Sequence, residues 1–350
     1  MTKKIDFTFT ETLTDWYRKN RRDLPWRADK DPYHVWVSEI MLQQTRVEAV
    51  RDYYIRFMNA LPALDDLASA DEETLLKLWQ GLGYYNRIRN MHKAARTVTE
   101  ELGGVFPHTY NEIRKLSGIG DYTAGAIASI CFDERTAAVD GNVMRVVSRL
   151  TDDDTDILNA AFKKRTAAYL SALYPEKNCG DFTQGLIELG ALVCGPAGPP
   201  KCEICPVAEY CKGKERGTAA YLPVKAAKKE RKKVKMTVFI IQHENRIAVC
   251  RRQKKGLLAG MYQFPNVEAE MSAAEAVAQA EHWGVKPRDL LRSLAYKHVF
   301  THVEWEMMGY YITADAMPDA FRWVTRTEME KEVPLPTAFG YFLTNGENTF

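Results

Sequence analysis

Residues 116–126 read LSGIGDYTAGA. Two glycines one residue apart precede an Asp-Tyr pair and then a run of small residues. Glycine lets a backbone turn tightly and come close to a ligand. A helix that opens directly after such a turn presents unpaired N–H groups at its N-terminus, a natural seat for an anion. A corner of this kind between two helices suits a DNA phosphate, gripped without reading sequence. A G-x-G by itself equally suits a plain helix–helix corner, so its meaning rests on its neighbours. Tyr122, two places after Gly120, is the residue that such a corner alone does not explain.

Outward from that turn, residues 1 to about 220 read as helical. In HVWVSEIMLQQTRVEAVRDYYIRFM, Val37, Ile40, Val47, Val50, Tyr54 and Phe57 recur at helical steps and predict one buried helix face. DEETLLKLWQGLG opens on acids and stops at glycine, as a helix does. Further helices are predicted over 87–102, 122–132, 142–150 and 157–173. The character changes after Cys211, where KGKERGTAAYLPVKAAKKERKKVK is charged and poor in large apolar residues. Beyond it VKMTVFIIQ, RIAVCRR and HVFTHVEWEMMGYYI have the β-branched and aromatic content of strands. AAEAVAQAEHW between them reads as a helix ending at Gly284. The expected organisation is a mainly α domain over 1–220, a basic connector over 221–235 and an α+β domain over 236–350.

The 350 residues suit two domains, each able to bury a core. The first 20 residues lack the apolar core of a secretory signal, and no apolar run approaches the length of a membrane span. An intracellular, DNA-associated protein of the cytoplasm, without a membrane partner, is therefore expected. Net charge is only +2, yet RKNRR (18–22) carries four cations and KAAKKERKKVK (225–235) seven against one acid. Such runs suit a solvated linker or phosphate contact.

Four of the seven cysteines, Cys194, Cys202, Cys205 and Cys211, fall within 18 residues. Disulfides do not suit an intracellular chain, so the clustering asks for a metal. Spacings of seven, two and five residues suit a [4Fe–4S] cluster, while zinc or free thiols remain open. Elsewhere, AVDGNVMRVVSRL places Asp140 before a helix, where an N-cap is the plain reading. Glu39 lies inside the apolar HVWVSEIMLQQ, with Gln43 and Gln44 following on a polar strip. Two carboxylates in unlike surroundings suit acid chemistry on a glycosidic bond.

Together these residues resemble the endonuclease III-like superfamily of DNA glycosylases, and over nearly the whole chain its adenine-specific branch. The resemblance is carried by LPWR (24–27), SEIMLQQT (38–45), GLGYYNRIRN (81–90), GIGDYTAGAI (118–127), VDGNV (139–143) and the cysteine loop. It implies a helix-hairpin-helix at Gly118 and Gly120, with Glu39 protonating a flipped-out adenine at N7. Asp140 would then stabilise the oxocarbenium-like sugar beside Asn142 and Tyr122. Gln44 and Tyr84 match positions that wedge into the vacated stack, and Trp26, Arg27, Leu42 and Gln184 match the base pocket. Core packing is the plain alternative for Tyr84 and Trp26. Lyase-competent relatives carry lysine where this chain has Tyr122, and a phenol forms no imine, which implies base removal without strand cleavage.

GLLAGMYQFP (256–265) and HVFTHVEWEM (298–307) resemble a Nudix-like domain that recognises 8-oxoguanine opposite the adenine, through Phe300, Thr301 and His302. Val277, Ala278, Glu281 and His282 stand at the charged places of a Nudix hydrolase helix, so the carboxylates for Mg²⁺ are largely gone. The implied partner is duplex DNA bearing A:8-oxoguanine or A:G mispairs, acted on by a monomer. One departure concerns the [4Fe–4S] loop: seven residues separate Cys194 and Cys202 where the family usually has six. The competing readings are a glycosylase-lyase for oxidised pyrimidines, opposed by Tyr122, and a non-catalytic metal-containing DNA-binding protein, opposed by the paired Glu39 and Asp140.

Overall fold

The computed structural model describes residues 2–226 and 230–345; positions 227–229 of the predicted basic connector lie outside the described residues. The chain divides into two compact units, Met1–Ser69 with Asn90–Ala227, and Ala70–Arg89 with Lys228–Phe350. The helix predicted from DEETLLKLWQGLG, observed as Glu72–Leu78 with Asp71 as its cap, thus belongs to the second unit.

The first unit is helical. Its core is the apolar faces of the Phe7–Asn20, Gly141–Thr151 and Cys179–Leu192 helices, meeting at Phe9, Leu13, Val143, Val147, Phe182 and Leu186. Thr109 and Glu112 form a capping box that starts the short Tyr110–Ile113 helix. A turn then leads to the Asp121–Phe132 helix, completing the expected helix-hairpin-helix. Gly118 adopts φ 76°, and a Cβ there would lie 2.5 Å from the Asn90 Cβ, so glycine is required twice over.

The single helix expected over 34–58 is instead two, Pro32–Leu42 and Val47–Ala60. Gln44 sits between them at φ 60°, a left-handed backbone that side chains other than glycine rarely adopt. The first piece is buried on nearly every side, whereas the second buries one face through Val50, Tyr54 and Phe57. The polar strip expected along one helix becomes a corner carrying Gln43 and Gln44.

The second unit holds β1 (Lys232–His243), β2 (Arg246–Arg251), β3 (Tyr262–Gln263), β4 (Asn266–Val267), β5 (Pro287–Val299), β6 (Val303–Ala314) and β7 (Arg322–Thr325). They form a mixed seven-stranded sheet of order β3-β2-β1-β6-β5, with β4 on β1 and β7 on β2. β1 runs parallel to β6, and β5 antiparallel to β6. Alternate residues of β1 feed opposite faces: Val238 and Ile240 meet Phe339 and Phe342, while Phe239 and Ile241 meet Ala276 and Ala280. Helices Thr337–Thr344 and Ala273–His282 cover those two faces. HVFTHVEWEMMGYYI, one strand-like run in the sequence, is a hairpin in which Phe300, Thr301 and His302 make the turn. The Phe300 N–H closes it by donating to the Val303 carbonyl at 2.8 Å. The Ala273–His282 helix ends as expected, with Gly284 at φ 79°.

Gly125, within the small-residue run, explains why that run is small. A Cβ there would lie 2.5 Å from the Ala137 carbonyl oxygen, on the segment leading to Asp140. Gly125→Ala is expected to destabilise the first unit by about 1–3 kcal/mol, despite alanine's better helix propensity. Chemical denaturation checks this; a stabilised variant would contradict the close packing.

Candidate active site

The Asp121–Phe132 helix opens on Gly120, which offers no capping side chain, so its first N–H groups face outward. Gly118, Gly120 and Asp121 form one rim of a cavity of about 650 Å³ in the first unit. The same cavity is lined by Trp26, Arg27, Glu39, Leu42, Gln44, Tyr122, Asp140, Asn142 and Gln184. Residues expected from motifs scattered over 160 positions therefore converge on one space. Trp26 is only 6% exposed and packs edge-on against Tyr54, and it also reaches the cavity wall.

Glu39 projects from the Pro32–Leu42 helix and is 8% exposed. Its Oε2 accepts a hydrogen bond of 2.7 Å from the Tyr122 hydroxyl. Burial raises the Glu39 carboxyl, the Tyr122 bond opposes this, and the nearby Asp140 charge adds to it. The outcome is a carboxyl pushed up to about 7. The Tyr122 phenol is held well above its ordinary value by burial and by the carboxylates of Glu39 and Asp140, so it stays a donor.

Asp140 is the N-cap of the Gly141–Thr151 helix, as the plain reading has it, and its carboxylate also reaches the cavity. Oδ1 accepts from the Val143 N–H at 2.7 Å and Oδ2 from the Asn142 side-chain amide at 2.8 Å. Burial raises Asp140 above its ordinary value, while those two donors pull against it. One carboxyl thus has a single hydrogen-bond donor and the other is held by a helix start. Unequal surroundings of this kind let one group be an acid while its neighbour stays an anion.

Asn142 is oriented in turn by Arg145, whose Nη2 donates to its Oδ1 and to the Gly190 carbonyl, each at 2.8 Å. Arg145 Nε donates to the Cys194 carbonyl at 2.9 Å, joining the cysteine loop to the site. Cys194, Cys202, Cys205 and Cys211 form no disulfide and line one small pocket with Val146, Leu150, Leu189 and Val193. Arg149 Nη1 donates to the Cys194 sulfur at 3.2 Å and the Lys214 N–H to the Cys211 sulfur at 3.4 Å. Among the described residues, no three His, Cys, Asp or Glu side chains are arranged to hold a metal ion.

Tyr84 is not part of this cavity. It belongs to the second unit, is 45% exposed at φ 49°, and its hydroxyl hydrogen-bonds the Thr301 hydroxyl. His302 is exposed on the same turn, and Phe300 packs between His298 and Trp305. The motifs did not single out Arg22, Lys163, Ile187 or Glu188, although the first three line the cavity and Glu188 is buried next to Arg22 and Arg27. For Glu188 a signal existed: a lone acid within FTQGLIELGAL, the same anomaly that marked Glu39.

Residues 37–171 match the HhH-GPD superfamily of base excision DNA repair proteins, and residues 236–345 match the NUDIX domain. Fold and site together therefore define a helix-hairpin-helix DNA repair glycosylase. The chain is 34% identical to an adenine DNA glycosylase of Mus musculus, an alignment covering 91% of this chain and 74% of that protein. It is 35% identical to one of Buchnera aphidicola subsp. Baizongia pistaciae (strain Bp), covering 84% and 83%. A thermostable thymine-DNA glycosylase structure superposes with a TM-score of 0.53 at 29% identity, over 60% of this chain and 96% of that one. The chain belongs to the adenine DNA glycosylase family. No helix among the described residues is long and apolar enough to cross a membrane.

Because Glu39 holds its proton to about pH 7 in the fold against 4.5 ordinarily, the folded state binds more protons between those values. Stability falls with rising pH across that window, and the loss is complete above pH 7. Glu39→Gln removes this cost. Its stability relative to wild type is expected to grow between about pH 4.5 and 7, by on the order of 1–3 kcal/mol. Paired denaturation curves at both ends of the window check it, and a pH-independent difference would contradict the raised carboxyl.

Proposed function

We propose that this glycosylase hydrolyses the N-glycosidic bond of adenine mispaired with 8-oxoguanine or guanine in duplex DNA, as a monofunctional enzyme acting as a monomer. The observation that carries the reading is the convergence of Glu39, Tyr122, Asp140 and Asn142 on one cavity walled by Trp26, Arg27, Leu42 and Gln184. The target bond is hidden inside a duplex, so the adenine has to leave the stack first. Gln44 and Tyr84, each held in a left-handed backbone, are the proposed wedges. Strain at a functional position persists only where the surroundings enforce it.

Glu39, protonated at neutral pH, donates to adenine N7 and turns the base into a neutral leaving group. Asp140, kept anionic by its two hydrogen-bond donors, faces the cationic sugar that follows. Asn142 holds Asp140 in place, and Tyr122 holds Glu39. Water completes the hydrolysis. No lysine takes Tyr122's place, so no imine forms with the sugar. In the second unit the Tyr84–Thr301 contact brings the wedge residue to the Phe300–Thr301–His302 turn, which supports this turn as the reader of 8-oxoguanine.

The cysteine loop fits a [4Fe–4S] cluster held by Cys194, Cys202, Cys205 and Cys211. A cubane binds each cysteine at a different iron and spreads the sulfurs wider than a single ion does. That agrees with four thiols lining one pocket. The apolar lining and the Arg149 and Lys214 donors suit a buried, negatively charged thiolate set. The extra residue in the loop falls in GPAGPPK, where Gly198 turns at φ 69°. When bound, the cluster supplies structural support and negative charge; the hydrolysis belongs to the protein side chains.

Glycosylase assays on A:8-oxoguanine duplex test the reading. Wild type is expected to release adenine, with Glu39→Gln and Asp140→Asn each losing about 10²-fold or more. Variants matching wild type would contradict the assigned roles. Borohydride on abasic-site DNA is expected to trap no covalent adduct, and efficient capture through a lysine would point to the lyase class. Iron and sulfide are expected in cluster stoichiometry in the purified protein, whereas zinc without iron would overturn the cluster.

A further inference from the structure

Glu188 is the most deeply buried acid near the site, with a side chain wholly removed from solvent. It lies on the Cys179–Leu192 helix and grips two arginines of the N-terminal segment. Its Oε1 accepts from the Arg22 N–H at 3.0 Å and from Arg22 Nε at 2.8 Å, and its Oε2 accepts from Arg22 Nη2 at 2.9 Å. Arg27 adds Nη2 on Oε2 at 2.9 Å and Nη1 on Oε1 at 3.3 Å. Arg27 is fixed further by the Arg22 carbonyl at 3.1 Å and by the Tyr17 ring, 5.6 Å from its guanidinium carbon. Burial would raise the Glu188 carboxyl, but these donors together hold it down at about 2, so it is an anion at all working pH.

The clamp is more than a fold contact because of where its cations point. Arg22 and Arg27 both line the cavity that holds Glu39. Arg27 lies near enough that its charge favours the ionised form of Glu39, against burial and Asp140. Two guanidiniums against one carboxylate leave a single net positive charge in this wall.

The other groups around Glu39 are accounted for. The Asp121–Phe132 helix contributes the neutral Tyr122 phenol, the half-buried Cys131 thiol, pushed up to about 12 by desolvation and nearby carboxylates, and Asp121 in the cavity lining. The Gly141–Thr151 helix contributes Asp140. Lys163 lines the rim, and Glu48 from the Val47–Ala60 helix acts on Arg22. On Glu39's own helix, His34 pairs at the surface with Asp29 at 2.9 Å.

We infer that Glu188 is a positioning residue that keeps the general acid supplied with its proton: by clamping Arg22 and Arg27 and cancelling one of their two charges, it stops the cavity wall from drawing the proton off Glu39. The catalytic meaning rests on the proposed role of Glu39, but the proton on Glu39 is measurable without it. One extra unit of positive charge across a protein wall moves a carboxyl by on the order of one pH unit. A contact that served only to hold helices together would change stability and leave this proton where it was.

The test is an infrared titration of the full-length protein. It follows the carbonyl stretch of protonated Glu39, isolated by subtracting the spectrum of the matching Glu39→Gln protein. In wild type the band is expected to vanish near pH 7. In Glu188→Gln, which keeps the shape but not the charge, it should vanish at lower pH by on the order of one unit. In Arg22→Gln, which removes one cation and leaves the Glu188–Arg27 pair, the band should persist to higher pH. A midpoint unmoved or raised in Glu188→Gln, or lowered in Arg22→Gln, overturns the inference. If Glu188→Gln does not fold, Arg22→Gln decides alone. Adenine release by Glu39→Gln at the wild-type rate would instead sink the acid role and leave the titration result standing.

Discussion

Two carboxyl groups face one cavity, and the rest of the site follows from the fact that both cannot comfortably be charged there. Glu39 gives way because its carboxyl accepts from a phenol, while Asp140 has a helix N-terminus and an amide behind it. A protonated acid beside an anion is what a glycosidic bond to a basic heterocycle requires. Two neighbouring helices approach the chain around Asp140 closely at glycines. Gly125 lies against the Ala137 carbonyl, and Gly190 lies where a Cβ would meet the Asn142 Cβ at 2.8 Å.

Behind this pair stand two layers that set charge and angle. Arg145 ties Asn142 to the Cys194 carbonyl, so the geometry at Asp140 is linked to the loop that carries the four cysteines. Glu188 and its arginines form the opposite wall and set how much positive charge the cavity contains. Neither layer needs to touch a substrate to matter. In both, a buried polar group is fully hydrogen-bonded to something that is itself fixed, which is how a protein holds a strained balance of charge.

Much of this was legible in the residues. The α+β second unit follows from alternating strands and the pairing of Glu39 with Asp140 from an acid in apolar surroundings and one before a helix, while the helix-hairpin-helix was implied by the resemblance of the motifs. The break at Gln44 was not legible, because the apolar period continues across Gln43–Arg46 and only the left-handed backbone marks it. The association of residues 70–89 with the second unit was hidden for a similar reason: a helix pattern says which face is buried, not against what. β5 was missed because, along an edge strand, Arg288, Asp289, Ser293 and Lys297 face solvent and dilute the strand signal. Glu188 carried the same mark as Glu39, but without a motif around it nothing said which arginines it would meet.

The central claim is that the acid of this site is Glu39 in its protonated form, and the pH dependence of single-turnover adenine release by the wild-type protein tests it most directly. The carboxyl stands at about 7, so the rate should be level below that pH and fall about tenfold per unit above it, as the proton is lost. A rate that rises through neutrality, or stays level to pH 9 or so, would contradict the account.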